Sequence, residues 1–317
     1  MTVILIIGAH GQDGRIACEL FKERGHEVYG IGKFSGLFRY NESVYDPNVS
    51  ISNPLSITNA IKRLRPDEIY YFAAFSQSSE ERHLVSSETF HYSQEVHVTG
   101  LFHILETMRI SLPNTKLLYA SSSLIFEGSD SVYQNEETLP APKSVYAITK
   151  ITGQMLCSYY RKIHGLFASV AILFNHESEY RDKKYLSMKI ILTAILIKNG
   201  KADKLVIGDS LAKVDWGYAR DYVEAMYMAN QLKNSDDYII ATGELHTVAE
   251  FVELVFNNLN LDYKNYVVEN NTLIKSNRQY FCGDSSKLRK HTGWEPKTSF
   301  TEMINKITYI KLNEIMK

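Results

Sequence analysis

The segment Gly8-Ala9-His10-Gly11-Gln12-Asp13-Gly14 constrains this chain most, because it sets three glycines between a short apolar run, Val3–Ile7, and a stretch of helical periodicity, Arg15–Glu23. A strand that feeds a helix through such a turn uses the first glycine for the bend. The second lets backbone N–H groups approach a pyrophosphate, and the third lets helix and strand pack closely. The positive end of the helix dipole adds to the attraction for phosphate. Glycines also simply end strands, and a triplet alone says little. Its position here, after one strand and at the start of a helix, makes Gly8, Gly11, Gln12, Asp13 and Gly14 candidate cofactor-binding residues.

The same alternation continues down the chain. Strands are expected at Glu27–Ile31, Glu68–Phe72, Lys116–Ala120 and Ala168–Phe174, with helices at Leu55–Leu64, Ser86–Arg109 and Tyr146–His164 between them. Short, continuously apolar strands separated by helices imply a parallel sheet covered on both faces. We read the fold as α/β: a Rossmann-type doubly wound parallel sheet with a smaller C-terminal substrate-binding lobe. Residues 1–175 form the NAD(P)-binding domain, segments of 204–242 return to it, and 176–317 are mainly the lobe. Helices are expected there at Ser187–Lys198, Ala219–Gln231, Val248–Leu259 and Phe300–Ile315.

A formal net charge of −1 over 317 residues, without basic runs, points away from nucleic acid. Cys18, Cys157 and Cys282 lie far apart without ligand spacing, which suits reduced thiols. The apolar start is too short for a signal peptide or a membrane span, so a soluble, cytoplasmic protein is expected. The ten histidines, His83, His91, His97 and His103 among them, lack partners at ligand spacing, and no metal is expected.

Tyr146-Ala147-Ile148-Thr149-Lys150 places a phenol and an ammonium four residues apart, on one face of a helix. The ammonium favours the phenolate, so the tyrosine can remove a proton from a hydroxyl while hydride leaves the same carbon. Taken alone, this spacing usually marks a solvated helix face. Here it follows the loop Pro140-Ala141-Pro142 and the strand-end serines Ser121, Ser122 and Ser123, where polar substrate contacts belong. At the end of the second strand, where a carboxylate would grip a ribose, the chain reads Gly30-Ile31-Gly32-Lys33. Lys33 suits a 2′-phosphate or plain solvent, and NAD and NADP both stay open at this point.

These residues, in this order, resemble the extended short-chain dehydrogenase/reductases, and among them the GDP-mannose 4,6-dehydratases. The resemblance runs over nearly the whole chain. It is carried by Gly11–Gly14, Pro66–Tyr70, Leu173–Ser178, Asp215–Gly217, Asp221–Met226, Ala241–Glu244 and Gly293–Lys297. It implies catalysis by Tyr146, Lys150 and Ser122, and Ala73 beside the cofactor. It further implies a GDP-sugar held by Ser123, Asn175, Lys189 and Arg220, and a homodimer or homotetramer packed through the helices Ser86–Arg109 and Tyr146–His164. A place in polysaccharide-precursor synthesis follows by analogy only.

The departures from the family matter as much. Where those enzymes read Ala-Ser-Thr-Ser-Glu-Leu, this chain reads Ala120-Ser121-Ser122-Ser123-Leu124-Ile125. The family's glutamate takes the C5 proton and helps expel the C6 hydroxyl as water, and leucine can do neither. Glu127 stands three positions further on. The paired arginines for a 2′-phosphate become Lys33-Phe34, which favours NAD. The adenine-side aspartate becomes Ser50, and the arginine before Asp-Trp-Gly becomes Val214, with Lys213 beside it. A C-terminal arginine has Lys275 or Arg278 as its nearest counterparts. The expected activity is therefore C4 oxidoreduction of a GDP-linked hexose or heptose without loss of water. A true dehydratase that recruits Glu127 or another acid, a C4 epimerase, and a non-catalytic sensor are the alternatives; the intact Tyr146 and Lys150 argue against the last.

Overall fold

The computed structural model describes residues 1–33, 35–42, 44–76, 86–270 and 280–316. Its first half runs β1 (Val3–Ile7), α1 (Gln12–Glu23), β2 (Glu27–Gly32), β3 (Gly36–Arg39), β4 (Val44–Asp46), α2 (Pro54–Leu64) and β5 (Glu68–Tyr71). Then come α3 (Ser87–Gln94), a π-helical turn (Glu95–Thr99), α4 (Gly100–Ser111), β6 (Lys116–Ser122), a 3-10 turn (Ser123–Phe126), β7 (Tyr133–Gln134), α5 (Val145–His164) and β8 (Ala168–Leu173). The second half runs β9 (Asn175–Glu177), α6 (Leu186–Lys198), β10 (Leu205–Ile207), β11 (Lys213–Tyr218), α7 (Ala219–Asn230) and β12 (Asp237–Ile240). It ends with β13 (Leu245–Thr247), α8 (Val248–Asn258), β14 (Val267–Glu269), β15 (Cys282–Gly283), α9 (Ser286–Thr292) and α10 (Phe300–Met316).

The main sheet has the order β12-β8-β6-β5-β1-β2-β3-β4. Its strands from β12 to β2 are parallel, as their apolar runs require: β5 and β8 are buried at every position. Strand order reverses at β1, which lies between β2 and β5, so the crevice beyond the C-terminal ends of β1 and β5 is the topological switch point. The fold is thus the doubly wound, Rossmann-type α/β sheet that the periodicity predicts. One edge differs. β3 and β4 extend it antiparallel, because Gly36, at φ +63°, turns the chain straight back along β2.

Two cores form. The larger joins the sheet to α1, α2, α4, α5 and α7; the smaller gathers Ile191 and Ile195 of α6, Trp216, Phe251 of α8, and Ile304 of α10. α7 and β12 return to the large core, whereas β10 does not. Leu205 and Ile207 are buried and Val206 exposed, so β10 turns one face to the small core and pairs with β14. In the other direction Leu288 and Trp294 come back to the large core, where the Trp294 indole N–H donates to the Asp221 carbonyl at 3.0 Å.

The helix expected over 86–109 runs without a gap from Ser87 to Ser111, with α geometry giving way to a π turn over Glu95–Thr99. That turn displaces carbonyls from the regular ladder, and hydroxyls from the sheet take them up: Tyr71 donates to Val96 O at 2.5 Å and Tyr119 to His97 O at 3.5 Å. Among the described residues no helix is long and apolar enough to cross a membrane.

Candidate active site

The glycine turn lies at the switch point. Gly8 has φ +89°, and a Cβ there would come within 2.6 Å of the Ala73 nitrogen, just past β5. A Cβ on Gly14 would sit 2.3 Å from Gly8 O. The turn therefore closes only with glycine at both positions, and it brings the first turn of α1 against the strand ends. Gly11, the N-cap of α1, carries no side-chain cap, so the first N–H groups of the helix are left for a ligand. A dinucleotide pyrophosphate fits this cradle.

The side chains of Gln12 and Asp13 do not face that cradle alone. Gln12 Nε2 donates to His176 O at 3.0 Å and its Oε1 accepts from Ser178 Oγ at 3.0 Å, while Asp13 pairs with His176. At the end of β2, a Cβ on Gly32 would meet His10 Nδ1 at 2.5 Å and Ser35 Oγ at 2.7 Å. Lys33 follows and is exposed. No carboxylate stands among these residues.

Tyr146 and Lys150 lie one turn apart on α5, whose start is fixed by Ser144, its hydroxyl accepting from Ala147 N at 3.2 Å. Lys150 is 1% exposed, and its ammonium donates to Ala120 O of β6 at 2.7 Å. It lies 5.8 Å from the Tyr146 ring centre. Burial lowers its pKa to about 7, against the pull of Asp13. The bond to Ala120 docks α5 on the end of β6, two residues before Ser122.

Ser122 Oγ accepts from Leu124 N at 3.3 Å and opens the 3-10 turn. Ser123 is 6% exposed, so its side chain is nearly closed to a substrate. Leu124 is half-buried on the same turn. Glu127 lies just beyond, where its carboxylate accepts from Ser144 Oγ at 3.1 Å, at the cap of the helix that carries Tyr146.

Asn175 is exposed at the start of β9, in register with Trp216 of β11. Lys189 is half-buried on α6. Arg220 does not join them. It pairs with Glu23 at the far end of α1, because α7 packs along α1 and carries Arg220 toward that helix's C-terminal turn. Lys275, Arg278, Phe34 and His83 lie outside the described residues.

Two histidines enter that spacing arguments passed over. His97, inside the π turn, is 0% exposed and its ring meets Tyr146 edge-on, with centres 5.2 Å apart. Its Nε2 accepts from Phe75 N at 3.0 Å, which leaves the proton on Nδ1 to donate to Thr149 Oγ1 at 2.8 Å. Burial and nearby Lys150 both push its pKa well down, so the ring is neutral. His176 meets Asp13 across the crevice. Each pairing spans a long stretch of chain, and only the apolar setting of His97 in a helix hinted at burial.

The chain matches the model of the GDP-mannose 4,6 dehydratase family over residues 5–307. It is 35% identical over 321 residues to GDP-mannose 4,6 dehydratase 1 of Arabidopsis thaliana, covering 95% of this chain and 87% of that protein. Among solved structures it resembles UDP-glucose 4-epimerase of Thermus thermophilus in complex with NAD, with TM-score 0.80, 22% identity and coverage of 97% and 98%. RMD from Pseudomonas aeruginosa complexed with NADPH gives TM-score 0.81 at 18% identity, covering 98% of each chain. The match over residues 5–307, the identity to the plant relative and the Rossmann-type sheet agree, and the chain belongs to the GDP-mannose 4,6 dehydratase family.

Proposed function

We propose that this enzyme oxidises C4 of a GDP-linked hexose or heptose, such as GDP-manno-heptose, or reduces the 4-keto sugar, without expelling water. One juxtaposition carries the reading. Lys150 is buried beneath Tyr146 at the end of β6, and the turn that follows β6 presents Leu124, which has no acid or base to offer.

In this reading Tyr146 Oη takes the proton from the C4 hydroxyl, the Lys150 ammonium steadies the phenolate, and the Ser122 hydroxyl orients the C4 oxygen. Gly8, Gly11, Gly14 and Ala73 would hold a nicotinamide dinucleotide, with Lys33 beyond β2. The cofactor, when bound, supplies the hydride acceptor at C4. NAD is the expected form, because a single lysine replaces the family's arginine pair; NADP is the alternative. Asn175 and Lys189 would meet the diphosphate of the nucleotide sugar. One net oxidation leaves the cofactor reduced, so an acceptor or exchange with free NAD completes the cycle. A C4 epimerase would instead return the hydride to the other face of the ketone.

A dehydratase remains the second reading. It is favoured by the family and by Glu127, whose carboxylate sits at the cap of α5, two residues from Tyr146. The mass of the product separates the two. The purified protein is given GDP-mannose, then GDP-manno-heptose, each with NAD or NADP. Loss of two hydrogens supports C4 oxidation; loss of water establishes the dehydratase and makes Glu127 the acid to substitute.

We also propose a homodimer. Ile148, Met155 and Tyr159 are exposed on one face of α5, and Phe102 and Ile110 are exposed on neighbouring α4. A second copy of the chain is the partner that this apolar face on two adjacent helices fits.

A further inference from the structure

Asp13 stands in the first turn of α1, among the N–H groups that a dinucleotide pyrophosphate would approach, and a bare carboxylate there would repel it. His176 Nε2 lies 3.0 and 3.1 Å from the two Asp13 oxygens, and its Nδ1 lies 2.7 Å from Phe174 O. A ring with an acceptor at each nitrogen carries a proton on each, so His176 is an imidazolium. It is 8% exposed and stacks on Tyr222 at 4.9 Å.

Other charged groups face the pair. Arg181 pairs with Glu177 at 3.2 Å, and its charge still lowers the pKa of both Asp13 and His176. The Lys150 ammonium on α5 interacts with Asp13 through its charge, and burial keeps the Tyr222 phenol protonated. Burial pushes the Asp13 carboxyl up, but the His176 charge and hydrogen bond bring it below its ordinary value. Burial likewise pushes His176 down, and Asp13 more than offsets this, raising it above 6.5.

We propose that His176 is the counter-ion that neutralises Asp13 so that a dinucleotide pyrophosphate can bind at α1, tying the cofactor turn to β9 and its first residue, Asn175. This rests on the nicotinamide reading above. His176 is a positioning residue: it acts on the cofactor through Asp13 and through Gln12, which grips the His176 carbonyl.

The test is binding rather than turnover. The protein is titrated with NADH and with NADPH from about pH 6 to about pH 9, followed by fluorescence quenching, with thermal melting to confirm folding. As pH rises and the imidazolium loses its proton, the wild-type Kd should weaken by about tenfold. In Asp13→Asn the amide can donate to a neutral Nε2, while Nδ1–H keeps the Phe174 bond. That variant should bind at the tight wild-type limit at low pH and keep only the shallower fall that Lys150, titrating near 7, gives both curves, without the His176 step. His176→Gln should bind weakly throughout, and adding Asp13→Asn to it should restore affinity. Weakened binding by Asp13→Asn, or an unchanged step in it, overturns the proposal. Wild-type protein that binds neither nucleotide overturns the nicotinamide reading itself.

Discussion

Lys150 shows what the candidate site costs the fold. Its ammonium is sealed from water and meets a single carbonyl, and its pKa falls from 10.5 to about 7. Between those values the unfolded chain binds a proton that the folded chain does not, so stability rises with pH across the interval and the penalty is full below it. Relative to Lys150→Met, the wild-type protein should gain roughly 1.4 kcal/mol per pH unit over that range in apo denaturant melts. The same variant should lose about 10³-fold in turnover. Parallel stability curves for the two proteins would mean that the lysine is not buried as an ammonium at all. Leu124 is the residue-scale counterpart. Where Lys150 keeps a charge in an expensive place, Leu124 leaves an apolar side chain on the turn that follows β6.

At the scale of elements, the regular helices were legible because their apolar periodicity is strong. The spacing predicts Val248–Leu259, and the helix runs Val248–Asn258 with a full capping box from Thr247 and Glu250. The π turn was not legible, because its extra residue leaves the composition of the surrounding helix unchanged. What demands it is tertiary: Tyr71 and Tyr119 hydroxyls from the sheet take up the Val96 and His97 carbonyls. The turn puts His97 between Phe75, in the loop after β5, and Thr149, in the helix of Tyr146. His97→Ala should therefore lower kcat by about tenfold or more, with His97→Gln recovering part of it by accepting the Phe75 N–H. Equal rates for His97→Ala and wild type would show that this bridge does not hold the tyrosine in place. The antiparallel β3 and β4 escaped the sequence for a simpler reason: strands of four and three residues carry too short a pattern to read.

The whole molecule joins two cores across one crevice, and residues from the start and the middle of the chain close it. Asp13 and His176, or Gln12 and Ser178, are far apart in the chain, and only the packed α1 and β9 bring them together. Arg220 shows the same limit from the other side. Its motif is legible, but the packing of α7 on α1 sends its guanidinium to Glu23. The exposed face of α5 makes a prediction at this scale. Met155→Glu combined with Tyr159→Glu should convert a dimer into a monomer in sedimentation velocity, with folding retained because both side chains lie outside the core. An unchanged sedimentation coefficient would place any interface elsewhere.

The central claim is that C4 is oxidised while the C6 oxygen stays. It is tested most directly with GDP-mannose carrying a heavy-oxygen label at C6, incubated with the wild-type protein and with Leu124→Glu. The account predicts that wild-type product keeps the label and has lost two hydrogens, and that Leu124→Glu begins to release the label as water. Complete loss of the label from the wild-type product would contradict it.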